Sequence, residues 1–189
     1  TFMPKPKAGV NGSGMHLNLS LSYLNGGNAF EDKSDPLGLS KTAYSFLAGM
    51  LYHMKEMTIL TNPLVNSYKR LVPGYDAPVY VAWTAKANKS SVIRIPSSRG
   101  EGTRIELRCP DPSVNPYLAL AACLAAGLDG ITKGMVPPES VDSNIFAMSD
   151  REMKRKKIEQ MPETLGEAIE VFRRSSFMKE VLGDHIYSK

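Results

Sequence analysis

The sequence is poor in reactive sulfur and imidazole, with two cysteines and three histidines in 189 residues. Cys109 and Cys123 sit in apolar stretches without metal-type spacing, which points to reduced core thiols in a cytosolic protein rather than to a disulfide framework. No apolar run reaches the ~18 residues that a bilayer crossing needs, and no secretory signal is visible, so no membrane span is expected. Neither charge sign dominates: 23 Lys+Arg against 19 Asp+Glu leave a formal net charge of +4. The basic residues are dispersed apart from Lys154-Arg155-Lys156-Lys157, a run that suits a solvated helix, so nucleic acid is not an expected partner. Repeats, low-complexity tracts, a Walker loop, a kinase glycine loop and a nucleophile elbow are all missing. The composition, 42% hydrophobic and 22% charged, is that of an ordinary globular protein, and the length allows one substantial domain with a core. The chain starts at Thr1 without a Met and runs straight into Phe2-Met3-Pro4-Lys5-Pro6. We expect a piece of a longer polypeptide.

Alternation and capping signals outline the elements. Residues 9–14 (Gly-Val-Asn-Gly-Ser-Gly) read as a turn whose backbone N–H groups can approach a ligand. His16, Asn18, Ser20 and Ser22 then alternate with Leu17, Leu19 and Leu21, the pattern of a half-buried strand. Ser40 caps a helix expected to run to about Met57, with Phe46, Leu47, Met50, Leu51 and Met54 along one stripe. His53 beside that stripe fits a packed or surface histidine better than a ligand. Residues 62–78, with three prolines and a glycine, read as loop. Strands are expected at Val79–Trp83, Ser91–Ile95 and Thr103–Cys109. Asn115 and Pro116 open a helix whose uncharged run to Leu128 predicts burial on most sides. Two helices close the chain, each on a capping box: Ser149 with Glu152 and Thr164 with Glu167. The fold class expected is α+β, a mostly antiparallel sheet flanked by helices with a helical C-terminal portion over 149–189.

The chemistry lies on the strand faces. In Arg104-Ile105-Glu106-Leu107-Arg108, alternation turns Arg104, Glu106 and Arg108 to one side and Ile105, Leu107 and Cys109 to the other. Guanidiniums match phosphate and carboxylate oxygens, and a carboxylate between them can hold a hard cation such as Mg²⁺. Taken alone, the pattern is equally that of a solvated face whose charges neutralise each other. The first strand adds His16, Asn18 and Ser20, and the Ser91 strand adds Arg94 with Lys89 just before it. One shared sheet would place a metal-competent His and Glu among four cations, an arrangement suited to phosphoryl transfer.

Several long stretches carry a family resemblance. They are Asn11-Gly12-Ser13-Gly14-Met15-His16, Asn62-Pro63, Asn66-Ser67-Tyr68-Lys69-Arg70-Leu71-Val72-Pro73-Gly74-Tyr75, Ile93-Arg94-Ile95-Pro96, the Arg104–Arg108 strand, and Asp111-Pro112 with Asn115-Pro116-Tyr117-Leu118. In that order they resemble bacterial type I glutamine synthetase, in the C-terminal part of its catalytic domain, across residues 1–189. The resemblance implies synthesis of glutamine from glutamate, ammonium and ATP through a γ-glutamyl phosphate. It also implies Mg²⁺ or Mn²⁺ ions, a cytoplasmic homo-dodecamer in a double ring, and a possible regulatory protein partner. By position, His16 and Glu106 resemble metal ligands, and Asn11 and Gly12 the glutamate-binding turn. Asn18 and Ser20 resemble nucleotide contacts, Arg70 and Arg108 holders of glutamate carboxylates, and Arg94 and Arg104 ATP-phosphate contacts. The β-grasp domain and further metal-binding glutamates belong upstream in that family, so the isolated segment is expected to be inactive.

Two positions depart from the family pattern. Asp76 stands where the flap usually carries Glu, the carboxylate that shields the intermediate and deprotonates ammonium. Asn88-Lys89 replaces the usual Asn-Arg pair with one extra residue nearby, and lysine lacks the planar fork for bidentate contact with a phosphoryl group. Lys89 nonetheless falls where the family contacts both glutamate and ATP. These departures open two alternatives: a γ-glutamyl-amine ligase of the same family, and a non-catalytic homologue that binds nucleotide or a regulator.

Overall fold

The computed structural model describes residues 1–75, 77–86 and 88–188. Its sheet is built from Leu17–Leu19 (β1), Tyr80–Thr84 (β2), Ser91–Arg94 (β3), Ile105–Leu107 (β4) and Glu159–Gln160 (β5), in the order β1-β4-β3-β2-β5. The β1–β4, β4–β3 and β2–β5 pairs are antiparallel and β2–β3 is parallel. The helices are Lys41–Tyr52 (α1), Met54–Thr61 (α2), Val65–Arg70 (α3), Pro116–Thr132 (α4), Asp150–Arg155 (α5), Leu165–Arg173 (α6) and Ser176–Tyr187 (α7, kinked at Gly183). This is the expected α+β class with a mostly antiparallel sheet. The apolar sides of β3 and β4 supply Val92, Ile93, Ile105 and Leu107 to a core completed by Phe30, Phe46, Leu47, Met50 and Met54.

Several elements differ from the sequence reading. The helix expected from Ser40 to Met57 is two helices. Ser40 caps α1, its Oγ accepting from the Ala43 N–H at 3.1 Å, but the chain breaks at His53 (φ −91°, ψ 5°). His53 is buried there, with Nδ1 3.0 Å from Glu56 Oε2, Nε2 2.9 Å from Asp129 Oδ2 and the ring stacked 3.6 Å from the Phe177 ring. Residues 62–78 contain α3, because the Ser67 hydroxyl accepts from the Leu64 N–H at 3.2 Å and the prolines flank the turn instead of interrupting it. The C-terminal portion holds three helices, with β5 between the first two. Ser149 and Glu152 form a reciprocal capping box, with Ser149 N–H donating to Glu152 Oε2 at 2.9 Å. At Thr164 the box is half made: Thr164 Oγ1 accepts from Glu167 N–H at 3.1 Å, while the Glu167 carboxylate accepts from Glu163 N–H at 2.9 Å. β1, β3 and β4 are shorter than alternation implied, since ladder pairing sustains only part of each pattern, while β2 keeps its expected length one residue further on.

Helix α4 crosses α1 at glycines. A Cβ on Gly49 would lie 2.1 Å from Ala126 O, and one on Gly130 2.1 Å from Ser45 O. Only glycine lets two backbones approach this closely. Contrary to the expectation of burial on most sides, the opposite face of α4 exposes Tyr117, Leu120, Leu124 and Leu128, because nothing among the described residues packs over it.

Candidate active site

Pairing register builds the centre of the site. Asn18 stands opposite Glu106 across β1–β4, and Arg94 stands opposite Glu106 across β4–β3, so the three form one row. Directly opposed residues are close enough for side chains to bond. Arg94 donates from Nη2 to Glu106 Oε1 at 3.0 Å and brings Nε within 2.5 Å of Oε2 as an ion pair without hydrogen-bond alignment. His16, just before β1, places Nδ1 3.1 Å from Glu106 Oε1. An ionised carboxylate only accepts, so Nδ1 is the donor in this contact. Arg104 extends the row, donating from Nε to Asn18 Oδ1 at 2.9 Å. Burial pushes the Glu106 carboxyl up, but the hydrogen bonds from His16 and Arg94 and the Arg94 charge together outweigh it and hold the group below its ordinary value.

A second layer braces this row. Arg70 is buried and donates from Nη1 to Cys109 O (2.7 Å) and Pro110 O (3.3 Å), and from Nη2 to Arg108 O (3.2 Å), tying α3 to the end of β4. Asn62 adds a bond to Cys109 O at 2.8 Å. The glycine turn is seated on Arg70: a Cβ at Gly14 would come within 2.6 Å of Arg70 Nη2, and one at Gly12 within 2.2 Å of Pro4 O. Arg108, also buried, points Nη1 at the carbonyls of Lys89 (2.8 Å), Ser91 (3.3 Å) and Asn88 (3.4 Å). Lys89 therefore sits on the turn that Arg108 grips. A cleft of about 560 Å³ opens on this side between Tyr75, Lys86, Lys89, Ser90 and Asn144.

Of the residues singled out from sequence, the structure brings His16, Arg94 and Glu106 into one bonded set and Arg104 and Asn18 into a second, side by side through the Asn18–Glu106 register pair. Arg70 and Arg108 lie beside it, with the guanidinium nitrogens named above directed at backbone carbonyls. Asn11 and Gly12 belong to the exposed turn above Arg70, and Ser20 is exposed beyond the end of β1. Asp76 lies outside the described residues. Sequence reasoning passed over Asn88, whose buried side chain organises the Lys89 turn. Its signal was there, as an Asn in a polar Asn-Lys-Ser-Ser stretch between strands, the usual place for a side chain that bonds backbone two residues on. Cys109 and Cys123 are core thiols, each pushed up to about 12 by burial.

The Glu106–His16 pair has the donor chemistry for a hard divalent cation, one carboxylate and one imidazole nitrogen. Among the described residues no group of three or more His, Cys, Asp or Glu side chains could hold a metal. The pair thus fits as part of a metal site whose remaining ligands come from elsewhere.

The chain is similar to proteins of one family. The family model "Glutamine synthetase, catalytic domain" matches residues 1–189. A glutamine synthetase of Clostridium saccharobutylicum is 57% identical over 187 residues, covering 99% of this chain and 42% of that protein. A glutamine synthetase of Thermus thermophilus is 54% identical, covering 100% of this chain and 42% of that protein. Among solved structures, one described as "GmaS/ADP complex-Conformation 1" superposes with a TM-score of 0.84 at 38% identity, covering all of this chain and 43% of that one. The chain spans about 42% of the length of the curated relatives it matches.

Proposed function

We propose, from the premise that this chain belongs to the glutamine synthetase family, that it supplies the nucleotide- and glutamate-facing half of an ATP-dependent glutamate–ammonia ligase site. The observation that carries this reading is the Asn18–Glu106–Arg94 row with His16 and Arg104 attached. It sets one buried carboxylate among cations on contiguous strands. The excess of positive charge there needs an anionic ligand, and ATP with glutamate supplies phosphates and carboxylates.

In the proposed reaction the glutamate γ-carboxylate attacks the ATP γ-phosphorus in line, and the bond to the bridging oxygen breaks to release ADP. Ammonia then adds at the γ-carbonyl carbon and phosphate leaves. Arg94 and Arg104 face the transferring phosphoryl group and offset its charge, and the Lys89 ammonium reaches it from the adjoining turn. Asn18 and Ser20 line the nucleotide side. Arg108, Arg70 and the Asn11–Gly12 turn line the glutamate side. His16 and Glu106 would hold Mg²⁺ or Mn²⁺, which supplies further neutralisation of phosphate charge. Asp76 is the proposed base that takes the ammonium proton and the lid against water. The family's twelve-subunit double ring, a cytoplasmic setting and a regulatory protein partner belong to the same proposal. Among the described residues no helix is long and apolar enough to cross a membrane.

Asp76 favours one second reading, a γ-glutamyl-amine ligase, because a carboxylate one methylene shorter than Glu leaves room for a substituted amine. A full-length enzyme containing this segment tests both. Glutamine formation dependent on ATP, glutamate, ammonium and Mg²⁺ is expected. Glu106→Gln should lower kcat by about 10²-fold or more, since it removes the charge that Arg94 and a cation share. Unchanged turnover in Glu106→Gln would refute the assignment of that carboxylate. A strong preference for alkylamines over ammonium would replace the first reading by the second.

A further inference from the structure

Asn88 is a buried carboxamide with every polar atom engaged. Nδ2 donates to Val141 O (2.9 Å) and Ser143 O (2.9 Å) and lies 3.2 Å from Ser91 Oγ. Oδ1 accepts from Ser90 N–H (2.8 Å) and Ser90 Oγ–H (2.5 Å). One side of this network is the connector after α4, which is itself fastened to β2. Trp83 Nε1 donates to Pro138 O (2.7 Å), Val141 N–H to Trp83 O (2.8 Å), and Thr84 Oγ1 to Asp142 Oδ1 (2.9 Å). The other side is the turn whose carbonyls at Asn88, Lys89 and Ser91 converge on Arg108 Nη1.

The geometry points to Asn88 as a positioning residue for glutamate: it fixes the Lys89 turn against the 138–144 connector, and through that turn it aims Arg108. The inference rests on the ligase reading above. The topology sharpens it. Strands β2 and β3 are parallel neighbours with only residues 85–90 between them, so the chain must return the length of β2 in six residues. Parallel neighbours ordinarily need a connection of about a dozen residues or more, and this one has half that number. The bonds of Asn88 to Ser90 and of the turn carbonyls to Arg108 carry a shift at Asn88 to Lys89 and to Arg108. The ATP-side row of Arg94, Arg104 and Asn18 makes no bond to Asn88, so the effect should be confined to the glutamate side.

Asn88→Asp in the full-length enzyme separates positioning from bulk. It keeps the acceptor for Ser90 and puts a carboxylate against the carbonyls of Val141 and Ser143. The expected result is a glutamate KM raised about tenfold or more, with Mg²⁺-ATP affinity by titration calorimetry within about twofold of the parent. Arg108→Lys is the control, and it should raise the glutamate KM by itself. The double variant should be no worse than about twofold beyond Arg108→Lys alone, because the two act through one path. If Arg108→Lys leaves the glutamate KM unchanged, the ligase reading of this side fails. If Arg108→Lys raises it and Asn88→Asp does not, the positioning role alone is overturned. Equal losses of glutamate and nucleotide affinity with a lowered melting temperature would show a general structural role and overturn it too. Should Asn88→Asp not fold, Asn88→Ser takes its place under the same criteria.

Discussion

Replacing Gly49 by alanine measures how closely α1 and α4 are pressed together. The added Cβ would lie 2.1 Å from Ala126 O, 2.7 Å from Gly130 N and 2.8 Å from Gly130 Cα, all backbone atoms that no rotamer change can move. Ordinary contact begins at 3.4 Å. The helices must therefore part by about 1.3 Å, and a gap of that order forfeits roughly half of each dispersion contact along the shared face. Overpacking of this kind costs about 1–3 kcal/mol, and a backbone-on-backbone clash belongs at or above the upper end. Alanine returns about 1 kcal/mol of helix propensity, leaving a net loss of about 2–3 kcal/mol. For a chain of this size that is a fall of about 4–12 °C in Tm. Gly166→Ala is the matched control: its Cβ would meet nothing nearer than Thr164 Oγ1 at 3.8 Å, and it sits in the first turn of α6. It should raise stability by up to about 1 kcal/mol. Scanning calorimetry of both variants decides the matter. A Gly49→Ala protein as stable as its parent, or both variants shifting in the same direction, would refute the packing argument.

The His53 cluster gives a pH prediction. Burial raises the Asp129 carboxyl, but hydrogen bonds from Lys133 and His53 outweigh it and leave the group below its ordinary value. A folded value lower than the unfolded one stabilises at pH above the ordinary carboxylate range, and that contribution is lost as pH falls through the lowered value. Asp129→Asn should cost about 1–2 kcal/mol at pH 7, because buried His53 loses one of its two carboxylate partners and Lys133 loses its own, with the gap closing below about pH 4. Urea unfolding at both pH values checks this, and a pH-independent gap would contradict it. Lys157 closes α5 at φ 53°, its N–H reaching Lys154 O (3.1 Å) while Ile158 N–H reaches Met153 O (3.0 Å). Glycine takes that left-handed position without strain, so Lys157→Gly should stabilise by about 0.5–1 kcal/mol in urea titrations, and a loss would be counter to it.

The fold class was readable because alternation in β1 and β4, and caps at Ser40, Asn115 and Ser149, are local signals. The break at His53 was not, since the apolar stripe continues across it. The break is made by Asp129 and Phe177, 76 and 124 residues further along the chain. The short helix α3 was hidden by its proline-rich flanks. On the site, strand periodicity put Glu106 on the polar side of its strand, and the sheet register then sets Asn18 and Arg94 opposite it. It could not show that Arg70 and Arg108 are buried among carbonyls. A guanidinium looks the same in sequence whether its hydrogens point at a ligand or at backbone. The brace that Asn88 makes depends on residues 141–143, which alternation in the strands does not reach.

The sheet order has a consequence for the chain as it is made. β1 pairs with β4, and His16 meets Glu106 across 90 residues of sequence. At about 5–20 residues per second of synthesis, the first strand waits roughly 5–18 s for its partner to leave the ribosome. During that wait Leu17 and Leu19 lack the β4 ladder, and the edge of β1 that β4 will cover is unpaired. Its polar residues on the alternate side, His16, Asn18 and Ser20, are then all that discourages pairing with a neighbouring nascent chain. The same side chains that line the proposed site therefore act first as guards against misassembly.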